Sequence, residues 1–341
     1  MSLLEIRDLR AQLQTRGGPA RAVDGVDLSL EEGEAVGLVG ESGAGKTMVA
    51  LSILGLLPEG SGTILSGSSI RVRGEELVGA GRRRLREVRG GEVAMIFQEP
   101  MTSLNPVFTV GNQILEAITL HRRLNRSDAR EEVTRLLEEV GIPDPIGRAE
   151  SYPHQLSGGM RQRAMVAMAL AGEPSLLVAD EPTTALDVTI QAQILDLLKG
   201  IQAKKGMGLL LISHDLGVVS RVCERMVILY GGKVVEAGST QDVLAKPQHP
   251  YTQGLLGSRL SVDDRRSGLR PVPGEVPEAT DWPGGCRFHP RCSEALDRCR
   301  WQEPALLPMG GSVGAGGVRG SVSRVHREVR CWLRNGEELR S

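Results

Sequence analysis

The chain has 341 residues, with 41 lysines and arginines against 42 aspartates and glutamates, so its formal net charge is −1. This balance argues against general nucleic-acid binding, which needs a broad basic surface to replace counterions. Only 3% of the residues are aromatic, which also argues against platforms that stack on bases. The length is sufficient for one large α/β domain with a core, plus an appendage.

The sequence carries no evident signal for membrane insertion or secretion. No apolar run approaches the roughly 18 residues of a membrane-spanning helix. The opening segment, MSLLEIRDLR, lacks the basic region and the apolar run of a signal peptide. We therefore expect a cytosolic protein, and any role at a membrane would depend on partners that span it.

Apolar patterning near the N-terminus predicts several strands and one helix. The helix covers 48–57 and is apolar almost all round, which is typical of a helix inside a core. The predicted strands cover 3–6, 22–30, 34–39 and 93–97. The strand at 34–39 leads directly into a glycine-rich turn.

The pattern then becomes helical from about residue 101 to residue 172. Ser127 is predicted to cap a helix, which Gly141 and Pro143 are expected to end. A second helix is predicted at 159–170. The apolar positions of the first helix recur at i, i+3, i+4 and i+7, and they are Val133, Leu136, Leu137 and Val140.

The α/β pattern resumes after this helical insert. A hairpin is predicted across Gly231-Gly232. The other predicted elements are a strand at 176–179, an amphipathic helix at 190–202, a strand at 208–213, and the two hairpin strands at 226–229 and 233–238.

From about Gly238 the chain is punctuated by prolines, and a cysteine-rich segment follows. We therefore predict an α/β domain at 1–240, which contains a helical subdomain at about 101–172. The remaining residues, 241–341, are predicted to form a C-terminal extension.

A phosphate-binding loop is predicted after the strand at 34–39. Its sequence fits GxxxxGK[ST] between a strand and a helix, which is the context that the motif requires. Backbone N–H groups and the positive end of the helix dipole would hold a β-phosphate. Lys46 would bind the β- and γ-phosphates of ATP and Thr47 would ligate Mg²⁺, whereas the competing interpretation is an ordinary glycine-rich turn. The loop residues are Gly40, Glu41, Ser42, Gly43, Ala44, Gly45, Lys46 and Thr47.

Two carboxylates, Asp180 and Glu181, end the apolar strand Leu176-Leu177-Val178-Ala179. A carboxylate at this position suits the shell of a Mg²⁺ ion, which we assign to Asp180. Glu181 lies one residue further and is predicted to orient or deprotonate the attacking water. The strand alone would be weak evidence, because buried strands often end in aspartate.

The segment Leu156-Ser157-Gly158-Gly159-Met160-Arg161-Gln162-Arg163 resembles the signature motif of the ATP-binding-cassette (ABC) family, with Met160 where glutamine is usual. A serine and two glycines at a helix start also form an anion site on physical grounds. The resemblance implies that Ser157, Gly158 and Gly159 bind the γ-phosphate of ATP held by a second subunit. ATP is then sandwiched between two nucleotide-binding domains, and hydrolysis needs a dimer.

Three further motifs of the family follow in order. Gln98 resembles the Q-loop glutamine, which senses Mg²⁺ and water and contacts the membrane subunits. Ala185-Leu186-Asp187 resembles the D-loop, and Asp187 is accordingly included in the nucleotide site. His214 resembles the switch histidine that hydrogen-bonds the γ-phosphate, although a lone histidine at a strand end is more often structural. The catalytic residues implied are Glu181, His214 and Gln98.

The resemblance covers about residues 3 to 295 and narrows to one branch of the family. Three features are similar to the ATPases of oligopeptide and dipeptide importers, although nickel importers share much of this pattern. They are the run from Phe97 to Pro106 (FQEPMTSLNP), the tetrapeptide His249-Pro250-Tyr251-Thr252, and the cysteine-rich C-terminal extension.

The resemblance implies an ABC-type P-loop NTPase domain of α/β class, with a helical subdomain and a small cysteine-rich C-terminal extension. It also implies an ATPase bound peripherally at the cytoplasmic face of the cell membrane. The partners implied are two transmembrane permease subunits, a second and different ATP-binding subunit, and an extracytoplasmic solute-binding protein. We expect no nucleic-acid partner.

Rival functions are disfavoured by particular residues. ABC ATPases of DNA repair carry coiled coils or zinc inserts between the phosphate loop and the signature, and no heptad run lies between Lys46 and Ser157. A non-hydrolysing cassette usually lacks the catalytic carboxylate, but Glu181 and His214 are both present. An exporter is disfavoured because the chain has no membrane domain.

One position departs from the family. ABC domains usually stack adenine on an aromatic residue before the second strand, and Leu13 falls there by spacing. Stacking of a base on an aromatic ring contributes about 1–3 kcal/mol. The affinity for nucleotide is therefore expected to be lower, unless the aliphatic side chain packs on the base.

The chain has five cysteines, and all but Cys223 lie near the C-terminus. Clustered thiols in a cytosolic protein indicate a metal site before disulfides. The spacing is wider than the gaps of about 2–4 residues typical of zinc, and four thiolates can also hold an iron–sulfur cluster. The resemblance implies a [4Fe–4S] cluster, while zinc and unliganded thiols remain open, as does His289 as a substitute ligand. The candidate ligands are Cys286, Cys292, Cys299 and Cys331.

Overall fold

The computed structural model describes residues 2–98, 103–184, 186–258, 272–309 and 327–334. Residues 99–102 of the predicted Q-loop segment and Ala185 of the predicted D-loop lie outside the described residues. None of the helices among the described residues is long and apolar enough to cross a membrane.

The regular elements are numbered in chain order. The strands are β1 (Ser2–Thr15), β2 (Gly18–Glu31), β3 (Ala35–Val39), β4 (Gly62–Ile64), β5 (Ser69–Val72), β6 (Glu75–Glu76), β7 (Val93–Ile96), β8 (Leu176–Asp180), β9 (Gly208–Ser213), β10 (Arg225–Tyr230), β11 (Lys233–Ser239), β12 (Leu307–Pro308) and β13 (Glu328–Val329). The helices are α1 (Lys46–Ile53), α2 (Arg82–Gly91), α3 (Val110–His121), α4 (Arg126–Glu139), α5 (Pro145–Ala149), α6 (Gly158–Leu170), α7 (Val188–Lys205), α8 (Leu216–Val222), α9 (Thr240–Ala245) and α10 (Pro250–Gly257). In the described part of the chain, 3-10 turns cover Pro153–Gln155, His289–Arg291 and Asp297–Arg300.

The described residues form two compact units. The first consists of Leu30–Ala35 and Gly79–Ile212, and the second of Ser2–Ser29, Val36–Val78 and the described part of Ser213–Ser341.

The first unit contains a parallel sheet and most of the helices. Strand β8 pairs in parallel with β7 on one side and with β9 on the other. Every residue of β8 and β9 is buried. Continuous apolar runs are typical of parallel strands covered on both faces, and this explains why the predictions at 176–179 and 208–213 are confirmed.

The helical insert of the first unit contains α3 and α5, which the sequence did not predict, and α4 has a different N-cap from the predicted one. Asn125, not Ser127, is the N-cap of α4, because its side-chain oxygen accepts from Ser127 N at 2.9 Å and Asp128 N at 3.0 Å. An N-cap side chain satisfies N–H groups two and three positions on, so the cap lies two residues earlier than predicted. Gly141 adopts a positive φ of 71° just after the helix, as a glycine stop requires.

The second unit contains an antiparallel sheet in the order β2-β1-β5-β6, with β4 also paired to β1. Leu13 is half-buried in β1, opposite Gly62 of β4. In the same unit β3 pairs in parallel with β10, and β11 pairs with β10 and β13. Gly231 and Gly232 have φ values of 54° and 75°, so the hairpin predicted across them is confirmed.

Candidate functional site

The predicted phosphate loop connects β3 to α1 within the second unit. Two of its glycines have no room for a side chain. A Cβ on Gly40 would lie 2.2 Å from Leu229 O, and one on Gly45 would lie 2.3 Å from Ala22 O. Gly45 also has a φ of 102°. The loop backbone therefore packs directly on neighbouring backbone, which requires glycine at both positions.

Lys46 is the first residue of α1 and is 6% exposed. Its Nζ donates to Gly40 O at 2.8 Å and to Glu41 O at 3.0 Å, so the ammonium group lies across the loop. Ser42, Gly43 and Thr47 are exposed. The loop thus combines a positive charge, exposed backbone and a helix start without a side-chain cap, which are the features that bind phosphate.

Glu41 of this loop is held by two residues of the C-terminal part of the chain. Arg291 forms a bidentate ion pair with its carboxylate, at 2.6 Å from Nη1 to Oε2 and 3.1 Å from Nη2 to Oε1. The Tyr251 hydroxyl accepts from Glu41 N at 2.8 Å. Sequence reasoning missed the role of Arg291 and used Tyr251 only as a mark of the family branch, because neither contact is local in sequence.

The predicted carboxylate pair lies in the first unit, at the end of β8. Asp180 is buried, with 1% exposure, and Glu181 follows in a left-handed conformation with a φ of 46°. Such strain in a residue other than glycine is concentrated at functional sites. Glu181 Oε2 accepts from Thr184 Oγ1 at 2.9 Å and from Gln98 Nε2 at 3.4 Å. The structure therefore joins Gln98 to Glu181 and adds Thr184, which the sequence analysis did not select.

The signature residues lie at the start of α6, also in the first unit. Ser157 is the N-cap, and its Oγ accepts from Met160 N at 3.3 Å. Ser157 and Gly158 are exposed and Gly159 is half-buried. A Cβ on Gly159 would lie 2.9 Å from Ile190 Cγ2, so a side chain would press on α7. The exposed start of α6 is able to receive an anion.

Asp187 and His214 each lie beside a helix start. Asp187 caps α7 by accepting from Ile190 N at 2.9 Å and is exposed. His214 follows β9 and is exposed, and the next residue, Asp215, caps α8. The roles of Asp187 and His214 in nucleotide binding remain predictions. The structural role of Asp187 is to cap the start of α7.

The four C-terminal cysteines line one cavity in the second unit, together with Phe288 and Trp332. Burial raises the pKa of Cys286 to about 12 and that of Cys331 to about 11, and it also raises the pKa of Cys292. Among the described residues, however, no three His, Cys, Asp or Glu side chains are gathered closely enough to hold a metal ion. The thiols converge on one apolar cavity without forming the tight ligand set of a single ion.

His289 and Cys223 were considered together with these four cysteines. His289 lines the same cavity, and its Nδ1 lies 2.9 Å from Cys286 O. Cys223 is buried, with 4% exposure, so the prediction that it is a core residue is confirmed.

Two parts of the chain match known protein families. Residues 23–184 match the family described as ABC transporter, and residues 235–299 match the C-terminal region of oligopeptide/dipeptide transporters. A putative peptide import ATP-binding protein of Brucella ovis is 48% identical over 93% of this chain and 97% of its own length. This chain belongs to the ABC transporter family.

Other relatives of this ABC ATPase share both the cassette and the C-terminal part. The oligopeptide transport ATP-binding protein AppD of Bacillus subtilis is 47% identical over 97% of each chain. The dipeptide transport ATP-binding protein DppD of Escherichia coli is 48% identical over 90% of this chain and 93% of its own. A solved dimeric bacterial ABC transporter cassette matches with a TM-score of 0.62 at 25% identity, covering 70% of this chain and 98% of that cassette.

Proposed function

We propose that this ABC ATPase powers the import of dipeptides or oligopeptides. The observation that carries the proposal is the combination of a cassette with the oligopeptide/dipeptide C-terminal region at 235–299. Relatives named as peptide import or peptide transport ATP-binding proteins are 47–48% identical over 90% or more of the chain. The complete set of cassette motifs supports an active hydrolase over a regulatory cassette.

The reaction proposed is in-line transfer of the γ-phosphoryl group of ATP to water. Lys46 would neutralise charge on the phosphates, and Glu181 would orient water and accept its proton. His214 would hydrogen-bond the γ-phosphate. Positioning and neutralisation of charge supply most of the acceleration in this reaction class.

Magnesium fits the donor set of this chain, because hard cations prefer oxygen ligands. The buried Asp180 carboxylate and the exposed Thr47 hydroxyl would hold the ion, together with the Gln98 amide. When bound, Mg²⁺ would neutralise charge on the β- and γ-phosphates.

The chain is proposed to act as one of two ATP-binding subunits, the other being a different chain. The exposed Ser157 and Gly158, with Gly159, would bind the γ-phosphate held by that partner. Two permease subunits and an extracytoplasmic solute-binding protein would complete a transporter on which this subunit is bound peripherally. We propose that residues 1–240 form the cassette, with 101–172 as its helical subdomain and 241–341 as the extension.

We further propose that the extension holds a [4Fe–4S] cluster through Cys286, Cys292, Cys299 and Cys331. Their convergence on one cavity supports a shared ligand. Among the described residues no three His, Cys, Asp or Glu side chains are gathered closely enough to hold a metal ion, so iron and zinc analysis decides between a cluster, Zn²⁺ and unliganded thiols. Burial raises the pKa of the Cys286 and Cys331 thiols, so they stay protonated without a metal, and a bound cluster would have to displace these protons.

The ATPase assignment is tested by phosphate release from the transporter purified with this chain and reconstituted in liposomes. We expect Mg²⁺-dependent hydrolysis that rises when peptide-loaded binding protein is supplied. Hydrolysis that is absent, or that does not respond to peptide, would overturn the proposal.

A further inference from the structure

The phosphate loop is braced at Glu41 by two side chains from beyond the cassette motifs. We propose that Arg291 and Tyr251 are positioning residues for this loop, so that the cysteine-bearing extension sets the affinity of the subunit for ATP. The inference rests on the proposed function, because it concerns the same nucleotide site.

Arg291 is fixed on both sides of its guanidinium group and is 7% exposed. On the side of the extension, Nε donates to Pro273 O at 2.7 Å and Nη2 donates to Gly274 O at 3.1 Å. On the side of the loop it forms the bidentate pair with Glu41. A planar guanidinium fork that is held at its base and bound through both terminal nitrogens defines the position of the carboxylate.

The backbone of Glu41 is held as well as its side chain. Its N–H donates to the hydroxyl of Tyr251, which is fully buried, and its C=O accepts from Lys46 Nζ. Tyr251 is packed against Tyr230 and Phe288, with ring centroids 4.7 Å and 5.4 Å away. Because the carbonyl of Glu41 also positions the Lys46 ammonium group, displacement of Glu41 would disturb the charge that receives phosphate.

Arg291, which holds Glu41, lies between two of the cysteines in the sequence. Arg291 ends the 3-10 turn His289–Arg291 and directly precedes Cys292, with Cys286 just before the turn. Any change that unfolds the Cys286–Cys292 segment would therefore withdraw the guanidinium group from Glu41. Coupling between two sites is reciprocal, so bound nucleotide should in turn stabilise this segment.

The test uses the full-length chain in its purified complex and fluorescent N-methylanthraniloyl-ATP as the probe. We expect Arg291→Met to weaken binding about tenfold, in the range of couplings carried by packed networks. The rate at saturating ATP should fall less than the affinity, which a general loss of folding would not produce. Arg291→Lys should recover part of the affinity, and Glu41→Gln combined with Arg291→Met should add little to either change alone.

Arg330→Met is the matched control. Arg330 lies beside Cys331 and pairs with Glu303 at 3.0 Å. Its guanidinium group also donates to Val234 O of β11 at 2.8 Å and to Pro304 O at 3.3 Å, so its hydrogen bonds join β11 to residues 303–304 and none of them is made to the phosphate loop. The substitution should leave the affinity for the probe unchanged.

Wild-type affinity in a folded Arg291→Met variant, or an equal loss in Arg330→Met, would overturn the inference. Failure of the wild-type complex to bind the probe would overturn the proposed ATPase function itself, and this inference with it.

Discussion

Replacing Glu181 with glutamine is expected to lower ATP turnover by about 10²–10⁴-fold, the contribution typical of a general base. Glutamine keeps the size of the side chain and an oxygen that can accept from Thr184 Oγ1 and Gln98 Nε2. It cannot accept a proton from water. ATP binding should therefore persist, and the variant should accumulate a closed dimer with ATP trapped inside. Steady-state phosphate release and filter binding of ATP measure the two effects separately.

Glu173→Gln is a matched control for this substitution. Glu173 also has a positive φ, of 55°, and it pairs with Arg122 at 3.4 Å. Glu173→Gln also removes one negative charge from a residue with a left-handed backbone conformation, but it should leave ATP turnover unchanged. Wild-type turnover by Glu181→Gln in the assembled complex would refute the assignment of the base.

The second large effect concerns the metal content of the extension. Protein purified without oxygen is expected to contain about four irons per chain with matching sulfide, and Cys299→Ser should lose nearly all of both. Cys299 is buried and lines the cavity with the other three cysteines, and its main-chain oxygen accepts from Cys286 N at 2.8 Å. Iron analysis and the visible absorbance, which should bleach on reduction, provide the measurement.

Cys223→Ala serves as the control for the cysteine substitution. Cys223 is buried in the core and does not line the cavity of the other four. This variant should retain its iron. Stoichiometric zinc in the wild type, or no metal at all, would exclude the cluster, and only the cassette and the match at 235–299 would then support the peptide-importer branch.

Elements and motifs defined by local sequence were predictable. The strand at 208–213 is a continuous apolar run, and the hairpin across Gly231-Gly232 needs two residues with positive φ, so both are visible without a structure. Strand β1 was predicted only at 3–6, although Leu9, Ala11 and Leu13 alternate with polar residues in its later part, which is the pattern of a strand with one exposed face.

The remaining features depend on contacts that no local pattern encodes. Short helices such as α8 and α9 were missed, since one or two turns carry too little periodicity to be recognised. Arg291 reaches Glu41 across 250 positions of sequence. Its burial, which makes a partner of opposite charge necessary, becomes visible only once the chain is folded.

The most direct test of the central claim is uptake of a labelled tripeptide and of ⁶³Ni²⁺ by cells of the source organism that lack this chain. We predict that tripeptide uptake is lost in these cells, that the wild-type chain restores it, and that Glu181→Gln does not. Nickel uptake should be unaffected throughout. Tripeptide uptake that survives the deletion, or nickel uptake that follows the chain instead, would contradict the proposed role in peptide import.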